Sequence, residues 1–221
     1  MAENSNRSRE VRAGAVSSPA AHPTVTGAIL AGGLSRRLGR DKTALRLAGK
    51  PLVLRVAAVL APLVSELWLV TNHLEAHLPF GLPMVSDLRP FQGPLGGLLT
   101  ALFYARTPWV LAAAVDNPFL SPALIAALAN RAAKTARPAV VCRSRQGLEP
   151  FPGLYSVRLL TPLAGYLETE RHLIRFVERS APEVLPEDEM RRWDPEERSF
   201  FNLNTAADWR EAERWLAAAA D

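Results

Sequence analysis

The chain alternates short apolar runs with helical segments, and this alternation constrains the fold more than any other feature of the sequence. The helical spacing of Leu52–Leu63 and of Pro122–Lys134 places a proline in or just before the first turn, where a helix tolerates it. Strands that alternate with helices predict an α/β fold: a doubly wound, mostly parallel sheet with helices on both faces. The predicted strands are Gly27–Ala31, Leu67–Thr71, Met84–Ser86, Trp109–Val115 and Ala139–Cys142.

Polar residues follow three of the predicted strands, at the point where each strand ends. These residues are Asn72, Asp87 and Asp116. In a parallel sheet the carboxyl ends of the strands share one edge, and ligands bind in the crevice outside that edge. The sequence therefore predicts that the three side chains face one crevice.

A glycine loop follows the first predicted strand and carries several cations. Gly32 and Gly33 let backbone N–H groups approach a ligand closely, because no Cβ intervenes. Arg37 and Lys42 follow, and such a concavity suits phosphate. The loop does not match G-x-x-x-x-G-K-[ST], because Gly39 is followed by arginine where that motif has lysine. The spacing G-x-G-x-x-G does not occur in it either. Taken alone, the loop is compatible with a phosphate site or with a simple turn.

Composition bounds the remaining possibilities. The chain has 221 residues and a net charge of +4, without a basic run interleaved with aromatics, so nucleic-acid binding is not expected. The single Cys142 allows no internal disulfide. No apolar run is long enough to cross a membrane, and residues 1–24 lack the apolar core of a signal peptide. We expect a cytoplasmic protein with a disordered extension over residues 1–24 and one domain over residues 25–221.

Other parts of the chain carry weaker patterns. The glycine- and proline-rich stretch Pro90–Gly97 predicts a loop before a helix at Leu98–Arg106, and Pro182–Pro195 predicts irregular structure. His73 and His77 have the spacing of one helical face, but no acid or cysteine completes a metal site, so surface histidines are predicted.

The motifs, taken together, resemble those of molybdenum cofactor guanylyltransferases. The opening series runs Leu-Ala-Gly-Gly-x-Ser-x-Arg-x-Gly-x-Asp-Lys from Leu30 to Lys42, followed by Gly49-Lys50-Pro51-Leu52. Gly-Pro-Leu-x-Gly from Gly93, Asp116-x-Pro118 and Asn202-x-Asn204-Thr205 come later in the same order as in that family. The resemblance covers residues 27–216 and implies a nucleotidyltransferase with a glycosyltransferase-A-like Rossmann fold.

The resemblance also implies roles for the nucleotide side of the site. Leu30, Ala31 and Gly32 would line the guanine and phosphate positions of GTP. Arg37 and Lys42 would hold the triphosphate and neutralise the departing pyrophosphate.

The same resemblance implies the rest of the site. Asn72 and Asp87 would contact the nucleoside, and Asp116 would bind Mg²⁺. Asn202 and Asn204 would lie near the molybdopterin substrate. The implied partners are GTP, molybdopterin carrying molybdenum, and apoproteins or other proteins of cofactor biosynthesis; the implied enzyme is a monomer that binds neither membrane nor nucleic acid.

Three alternatives remain open at this stage. A cytidylyltransferase and an enzyme acting on a sugar phosphate would share the fold, and a non-catalytic nucleotide-binding protein could deliver the cofactor. Asn117 and the segment Glu149–Pro152 depart from the usual family residues, which bears on the pterin side of the site.

Overall fold

A computed structural model describes residues 25–31, 42–90 and 92–218, and the side chain of Lys42 is not among the described groups. The predicted disordered extension, residues 1–24, lies outside the described residues, as does the glycine loop from Gly32 to Asp41. Nine strands are present in the described part. They are β1 (Val25–Leu30), β2 (Arg46–Leu47), β3 (Lys50–Pro51), β4 (Glu66–Val70), β5 (Met84–Val85), β6 (Trp109–Ala114), β7 (Ala139–Ser144), β8 (Gly147–Ser156) and β9 (Glu183–Leu185).

Eight α-helices connect or follow these strands in the described part, together with short 3₁₀ turns such as Lys42–Ala44 and Arg198–Phe200. No described helix is long and apolar enough to cross a bilayer. The α-helices are α1 (Leu52–Leu60), α2 (Leu74–His77), α3 (Gly93–Tyr104), α4 (Pro122–Ala132), α5 (Leu160–Tyr166), α6 (Leu173–Arg179), α7 (Glu187–Met190) and α8 (Ala206–Ala218).

Seven strands form one sheet in the order β5-β4-β1-β6-β8-β7-β9, and β2 pairs with β3 in a small hairpin. Strand β8 runs antiparallel to both of its neighbours, whereas the other neighbouring strands of the large sheet are parallel. The mostly parallel α/β sheet predicted from the alternation is therefore confirmed.

The sheet is covered on both faces, as β1 illustrates. Val25 and Ile29 pack into a core with α1, α4 and α8, while Ala28 and Leu30 pack into a second core with α3, α5 and α6. All six residues of β1 are buried. A strand buried on both faces is mostly apolar, which is why β1 and β6 lack the polar alternation of a one-sided sheet. The one polar side chain of β1 is Thr26, whose buried hydroxyl donates to Glu66 Oε1 at 2.8 Å.

Two predicted irregular segments are wrong, because both contain regular structure. Helix α3 begins at Gly93 instead of Leu98, since Pro94 sits in the first turn, where no N–H partner is needed. Gly97 allows this helix to pack closely on the sheet: a Cβ there would lie 3.3 Å from Leu30 Cδ2. In the second segment, β9 extends the sheet beside β7, and α7 follows it.

The last helix begins with a capping box formed by Thr205 and by Asp208 three positions later, a spacing that the sequence itself shows. The backbone N–H of Asp208 donates to Thr205 Oγ1 at 3.2 Å, and the N–H of Thr205 donates to Asp208 Oδ2 at 2.6 Å. This reciprocal arrangement satisfies donors that a helix N-terminus leaves unpaired. It fixes α8 directly after Asn202 and Asn204, so the chain enters the helix from the region of the predicted site.

Candidate active site

Backbone hydrogen bonds continue past the strand ends and align the residues of the carboxyl edge. Ala31 N–H donates to Val70 O at 2.9 Å, and Thr71 N–H donates to Val85 O at 3.0 Å. On the other side of β1, Val115 N–H donates to Leu30 O at 3.2 Å. The ends of β5, β4, β1 and β6 therefore lie side by side, and the polar residues that follow them share one edge, as predicted.

Leu30 and Ala31 lie where β1 reaches that edge, directly before the glycine loop. Leu30 is 7% exposed and its side chain packs against α3, while its carbonyl and the Ala31 N–H bind neighbouring strands. These groups hold the sheet together and bring the chain to the crevice. The roles predicted for Gly32, Arg37 and the Lys42 side chain lie outside the described residues.

Asn72 and Asp87 form a direct pair at the ends of β4 and β5. Asn72 Nδ2 donates to Asp87 Oδ2 at 2.8 Å, and the backbone N–H of Asp87 donates to Asn72 Oδ1 at 3.2 Å. Burial raises the pKa of Asp87, and the hydrogen bond from Asn72 opposes that rise. Its other oxygen, Oδ1, is buried and accepts no hydrogen bond from the described residues. The two side chains therefore hold each other in one orientation. The buried Oδ1 of Asp87 is an acceptor whose donor would have to come from outside the described residues.

The loop that carries Asp87 packs against α3 and is hydrogen-bonded to it. Thr100, which is fully buried, accepts from the N–H of Leu88 at 3.0 Å and donates from Oγ1 to Gly96 O at 2.9 Å. Gly96 has no room for a side chain, because a Cβ would lie 3.0 Å from Arg89 O. The first turns of α3 thus pack against the loop that carries Asp87.

Asp116 lies in the turn after β6 and is half-buried. Its carbonyl accepts from the backbone N–H of Leu203 at 3.0 Å, which brings the C-terminal Asn-Leu-Asn segment to the end of β6. The adjacent Asn117 is 2% exposed, and its Nδ2 donates to Asn202 Oδ1 at 3.2 Å. Sequence reasoning treated Asn117 only as a departure from the family, whereas in the structure it joins the two segments.

Asn202 and Asn204 differ in how they are held, although both are exposed. Asn202 is fixed by Asn117 and by its own Nδ2, which donates to Phe200 O at 3.0 Å. Asn204 donates its backbone N–H to Asp208 Oδ2 at 2.8 Å and so belongs to the start of α8. The structure brings Asn202 close to the Asp116 turn, and Asn204 lies two residues further along the same segment.

The segment that follows the glycine loop is anchored by a histidine. Thr43 Oγ1 and His77 Nε2 are 2.5 Å apart and form a buried hydrogen bond. His77 is 1% exposed, so its prediction as a surface histidine is wrong, whereas His73 is exposed as predicted. The reason is tertiary: α2 turns His77 under the 3₁₀ turn Lys42–Ala44. The chain therefore leaves the loop at a fixed point directly after Lys42.

The donor chemistry at the end of β6 is compatible with a magnesium ion. Asp116 offers carboxylate oxygens, the ligands that Mg²⁺ prefers, and this ion usually takes its other ligands from water and substrate phosphates. The described residues contain no group of three or more histidine, cysteine, aspartate or glutamate side chains arranged to hold a metal. A single carboxylate beside a triphosphate fits this ion, whereas a zinc-type site would need more protein ligands.

Comparison with known proteins gives consistent matches over most of the chain. The model of the MobA-like NTP transferase domain matches residues 27–184. A molybdenum cofactor guanylyltransferase from Rhodopseudomonas palustris is 36% identical over 203 residues, which cover 87% of this chain and 94% of that protein. One from Syntrophotalea carbinolica is 34% identical over 190 residues, covering 85% of this chain and 88% of that protein.

A solved structure agrees with these matches. Molybdopterin-guanine dinucleotide biosynthesis protein A from Archaeoglobus fulgidus is similar with a TM-score of 0.78 at 26% identity, covering 87% of this chain and 99% of that one. The fold, the family model and relatives matched over nearly their whole length lead to one assignment. The chain belongs to the MobA-like NTP transferases, in the family of molybdenum cofactor guanylyltransferases.

Proposed function

We propose that this protein transfers GMP from Mg·GTP to the terminal phosphate of molybdopterin carrying molybdenum, forming the guanine dinucleotide cofactor and pyrophosphate. The observation that carries the proposal is the alignment at the carboxyl edge. Asn72 and Asp87 lie at one end of that edge, and Asp116 with Asn202 lies beyond β1. A nucleotide and a second phosphate-bearing substrate can therefore approach Asp116 from opposite sides.

The reaction is a displacement at the α-phosphorus of GTP. A terminal phosphate oxygen of molybdopterin forms a bond to that phosphorus, and the bond to the oxygen bridging the α- and β-phosphates breaks. The bridging oxygen leaves with pyrophosphate. The attacking phosphate is already ionised at neutral pH, so no general base is needed, and positioning together with charge neutralisation accounts for most of the catalysis.

The nucleotide roles follow from the family motif in this chain. Leu30, Ala31 and Gly32 bring backbone groups to guanine and the phosphates, while Arg37 and Lys42 hold the triphosphate and neutralise the leaving pyrophosphate. The anchoring of Thr43 by His77 supports the role of Lys42, because the residue beside it is held in place.

Asn72 and Asp87 contact the nucleoside in this proposal. Their reciprocal hydrogen bonds support it, since a site must hold its polar groups in one orientation before the ligand arrives. Asp87 would offer the nucleoside a carboxylate whose Oδ2 is already held by Asn72.

Asp116 is the proposed magnesium ligand. When bound, Mg²⁺ supplies charge stabilisation to the phosphate oxygens. Asp116 orients this end of the site, and Asn202 and Asn204 contact the molybdopterin beside it. We also propose that the enzyme acts as a cytoplasmic monomer and passes its product to molybdoenzyme apoproteins or to other proteins of cofactor biosynthesis.

The proposal is tested by incubating the protein with molybdopterin and labelled GTP, CTP or ATP. We expect label transfer from GTP; preferential transfer from CTP would assign the chain to cytidylyl chemistry, and no transfer would refute the enzyme function. Asp116→Asn should lower the rate by roughly a thousandfold, because a metal contributes several kcal/mol of charge stabilisation.

Asp188→Asn is the matched control, since Asp188 is an exposed residue of α7 and loses the same charge. An Asp116→Asn protein with full transfer activity would remove Asp116 from the mechanism. If that variant binds GTP and supports molybdoenzymes fully in cells, the protein is a carrier and not a catalyst.

A further inference from the structure

A cavity of about 240 Å³ lies between the β7–β8 hairpin, the segment from Glu196 to Phe201, and Trp215 near the end of α8. Its lining includes Glu149, Arg145 and Glu197 together with Phe201 and Trp215. The volume is below the roughly 300–1,000 Å³ of pockets for drug-sized ligands, and it suits one flat ring system better than a whole nucleotide. The sequence assigns none of these residues to a ligand, although Glu149 belongs to the segment that departs from the family on the pterin side.

Glu149 is the half-buried acid of this cavity. Ser144 Oγ donates to Glu149 Oε1 at 2.6 Å, and no other hydrogen bond from the described residues reaches this carboxylate. Burial raises the pKa of Glu149, and the negative charge of Glu197 raises it further. Keeping an acid here has an electrostatic cost, which a ligand with several N–H donors would offset.

The backbone around Glu149 is held in one conformation. Tyr155, which is fully buried, donates its hydroxyl to Pro150 O at 2.6 Å. Gly153 accepts no larger residue without rearrangement, because a Cβ there would collide with the same carbonyl. Glu149 therefore sits on a rigid part of β8, as a recognition residue should.

Glu197 also lines this cavity, but its carboxylate is already paired with arginines and is less able to accept N–H donors from a ligand. It is engaged by Arg191, whose Nε donates to Oε1 at 2.7 Å, and by Arg145, whose Nε lies 3.3 Å from that oxygen. These partners lower the pKa of Glu197 in spite of the burial that raises it. Glu149 is thus the acid of this cavity that is not neutralised by an arginine within the described residues.

An aromatic wall stands beside the carboxylate. The rings of Phe201 and Trp215 have centroids 4.6 Å apart, and the Arg198 guanidinium lies 4.6 Å from the centroid of the Trp215 ring. Both aromatic side chains line the cavity and are half-buried, and the Arg198 guanidinium lies over the Trp215 ring. Flat heterocycles stack on such surfaces, and the adjacent carboxylate can bind an N–H-rich ring edge.

The cavity adjoins the Asp116 turn. Asn117 Nδ2 lies 3.5 Å from Phe201 O, and Leu203 N–H donates to Asp116 O. Asn72 and Asp87 lie at the other end of the carboxyl edge, across β1, because the sheet order is β5-β4-β1-β6-β8-β7. A ligand ring in the cavity and a nucleoside at Asn72 and Asp87 would thus lie on opposite sides of Asp116.

We propose that this cavity binds the pterin ring of the acceptor, with the Glu149 carboxylate accepting N–H donors of the 2-amino-4-oxopyrimidine edge and Phe201 with Trp215 covering the ring face. The inference rests on the function proposed above for its choice of acceptor. Guanine carries the same hydrogen-bonding edge, so the chemistry fits either ring. The cavity lies on the opposite side of Asp116 from Asn72 and Asp87, which are the proposed nucleoside contacts, so we assign it to the pterin.

The test is a fluorescence titration with pterin, which is 2-amino-4-oxopteridine, and with 2,4-dioxopteridine, which lacks the amino donor. We expect wild type to bind pterin at least about tenfold more tightly than the dioxo compound, and Glu149→Gln to lose that preference. Glu213→Gln, an exposed acid on α8, is the control and should behave as wild type. Trp215→Leu should weaken both compounds, because it removes the ring face and leaves the edge contact.

Adding GTP distinguishes whether the cavity binds pterin or guanine. Saturating GTP should leave pterin binding unchanged, and Glu149→Gln should bind labelled GTP as wild type does. Displacement of pterin by GTP, equal pterin binding by wild type and Glu149→Gln, or no pterin binding by wild type would each overturn the inference. GMP transfer is measured separately, so failure of the proposed function is distinguishable from failure of this site.

Discussion

The carbonyl of Asp116 and the backbone N–H of Leu203 form a 3.0 Å hydrogen bond that joins the end of β6 to the C-terminal Asn-Leu-Asn segment. Leu203 is fully buried, so this contact is held by packing as well as by the hydrogen bond. It places Asn202 beside Asn117 and makes the wall of the Glu149 cavity continuous with the Asp116 turn. One backbone contact thus connects the proposed magnesium ligand with the proposed acceptor side.

Replacing Asn72 with alanine should weaken GTP binding. The change removes the amide that donates to Asp87 Oδ2 and accepts from the Asp87 N–H, so the carboxylate loses its fixed orientation. We expect the KM for GTP to rise about tenfold, as for loss of a hydrogen bond to a charged group. Steady-state kinetics with each substrate varied in turn should show an unchanged KM for molybdopterin. A rise confined to the molybdopterin KM would contradict the assignment of this pair to the nucleoside.

Replacing Gly97 with valine should destabilise the fold. A Cβ at this position would lie 3.3 Å from Leu30 Cδ2, and the two methyl groups of valine would force α3 away from β1. Overpacking of this kind costs about 1–3 kcal/mol in the free energy of unfolding, measurable by urea denaturation. Gly165→Ala in α5 is the control, because its Cβ would meet no atom within 4 Å. That control should be neutral or stabilising, and equal destabilisation by both changes would refute the packing explanation.

Replacing Thr43 with valine should loosen the segment beside Lys42. Valine keeps the shape of threonine but removes the hydroxyl that bonds to His77 Nε2 in a buried site. Leaving a buried polar group without that partner costs about 1–3 kcal/mol, seen as a lower free energy of unfolding. Thr43→Ser retains the hydroxyl and should recover most of the loss. If serine is as damaging as valine, the methyl group and not the hydrogen bond holds this turn.

Replacing Glu149 with glutamine should remove a loss of stability that wild type undergoes as pH rises above the ordinary glutamate pKa. Burial raises the pKa of Glu149 above its ordinary value, so the folded state binds this proton more tightly than the unfolded state does. The group's contribution to stability is therefore fully present below the ordinary glutamate pKa and is lost as pH rises through the raised value. Glutamine cannot ionise and can still accept the hydrogen bond from Ser144.

Urea denaturation of wild type and Glu149→Gln across a pH series measures this difference. The variant should be the more stable protein at pH 8, and the advantage should shrink as pH falls below the ordinary glutamate range. A variant advantage that grows toward acid pH would have the wrong sign and would show that the ionised carboxylate is stabilised in the fold. The predicted result also means that wild type retains an acid that costs stability, as binding residues often do.

Local patterns in the sequence were sufficient for the architecture and for one edge of the site. The continuous apolar run Trp109–Val115 is typical of a strand buried on both faces, and the structure shows β6 as such a strand. Because the side chains after parallel strands share an edge whatever the details of packing, Asn72, Asp87 and Asp116 were predicted together. The Thr205–Asp208 cap was also readable, since its partners are three residues apart.

Errors occurred where packing overrode local preference. The glycines of Pro90–Gly97 read as a loop, yet contact with Leu30 and with the Arg89 carbonyl makes small residues useful inside a helix. His77 read as a surface residue because nothing nearby in the sequence marks its partner, Thr43. Strand β9 read as irregular because its three residues form a strand only by pairing with β7.

By itself, the sequence determined the alternating fold, the polar strand ends and the family motifs, because each depends on residues close together in the chain. Only the tertiary structure decided that Asn117 holds Asn202 and that Glu149 faces an aromatic wall. Such contacts join segments far apart in sequence, and their partners are selected by how the helices and the antiparallel strand β8 pack. Periodicity records which side of an element is buried; it does not record which distant side chain lies against it.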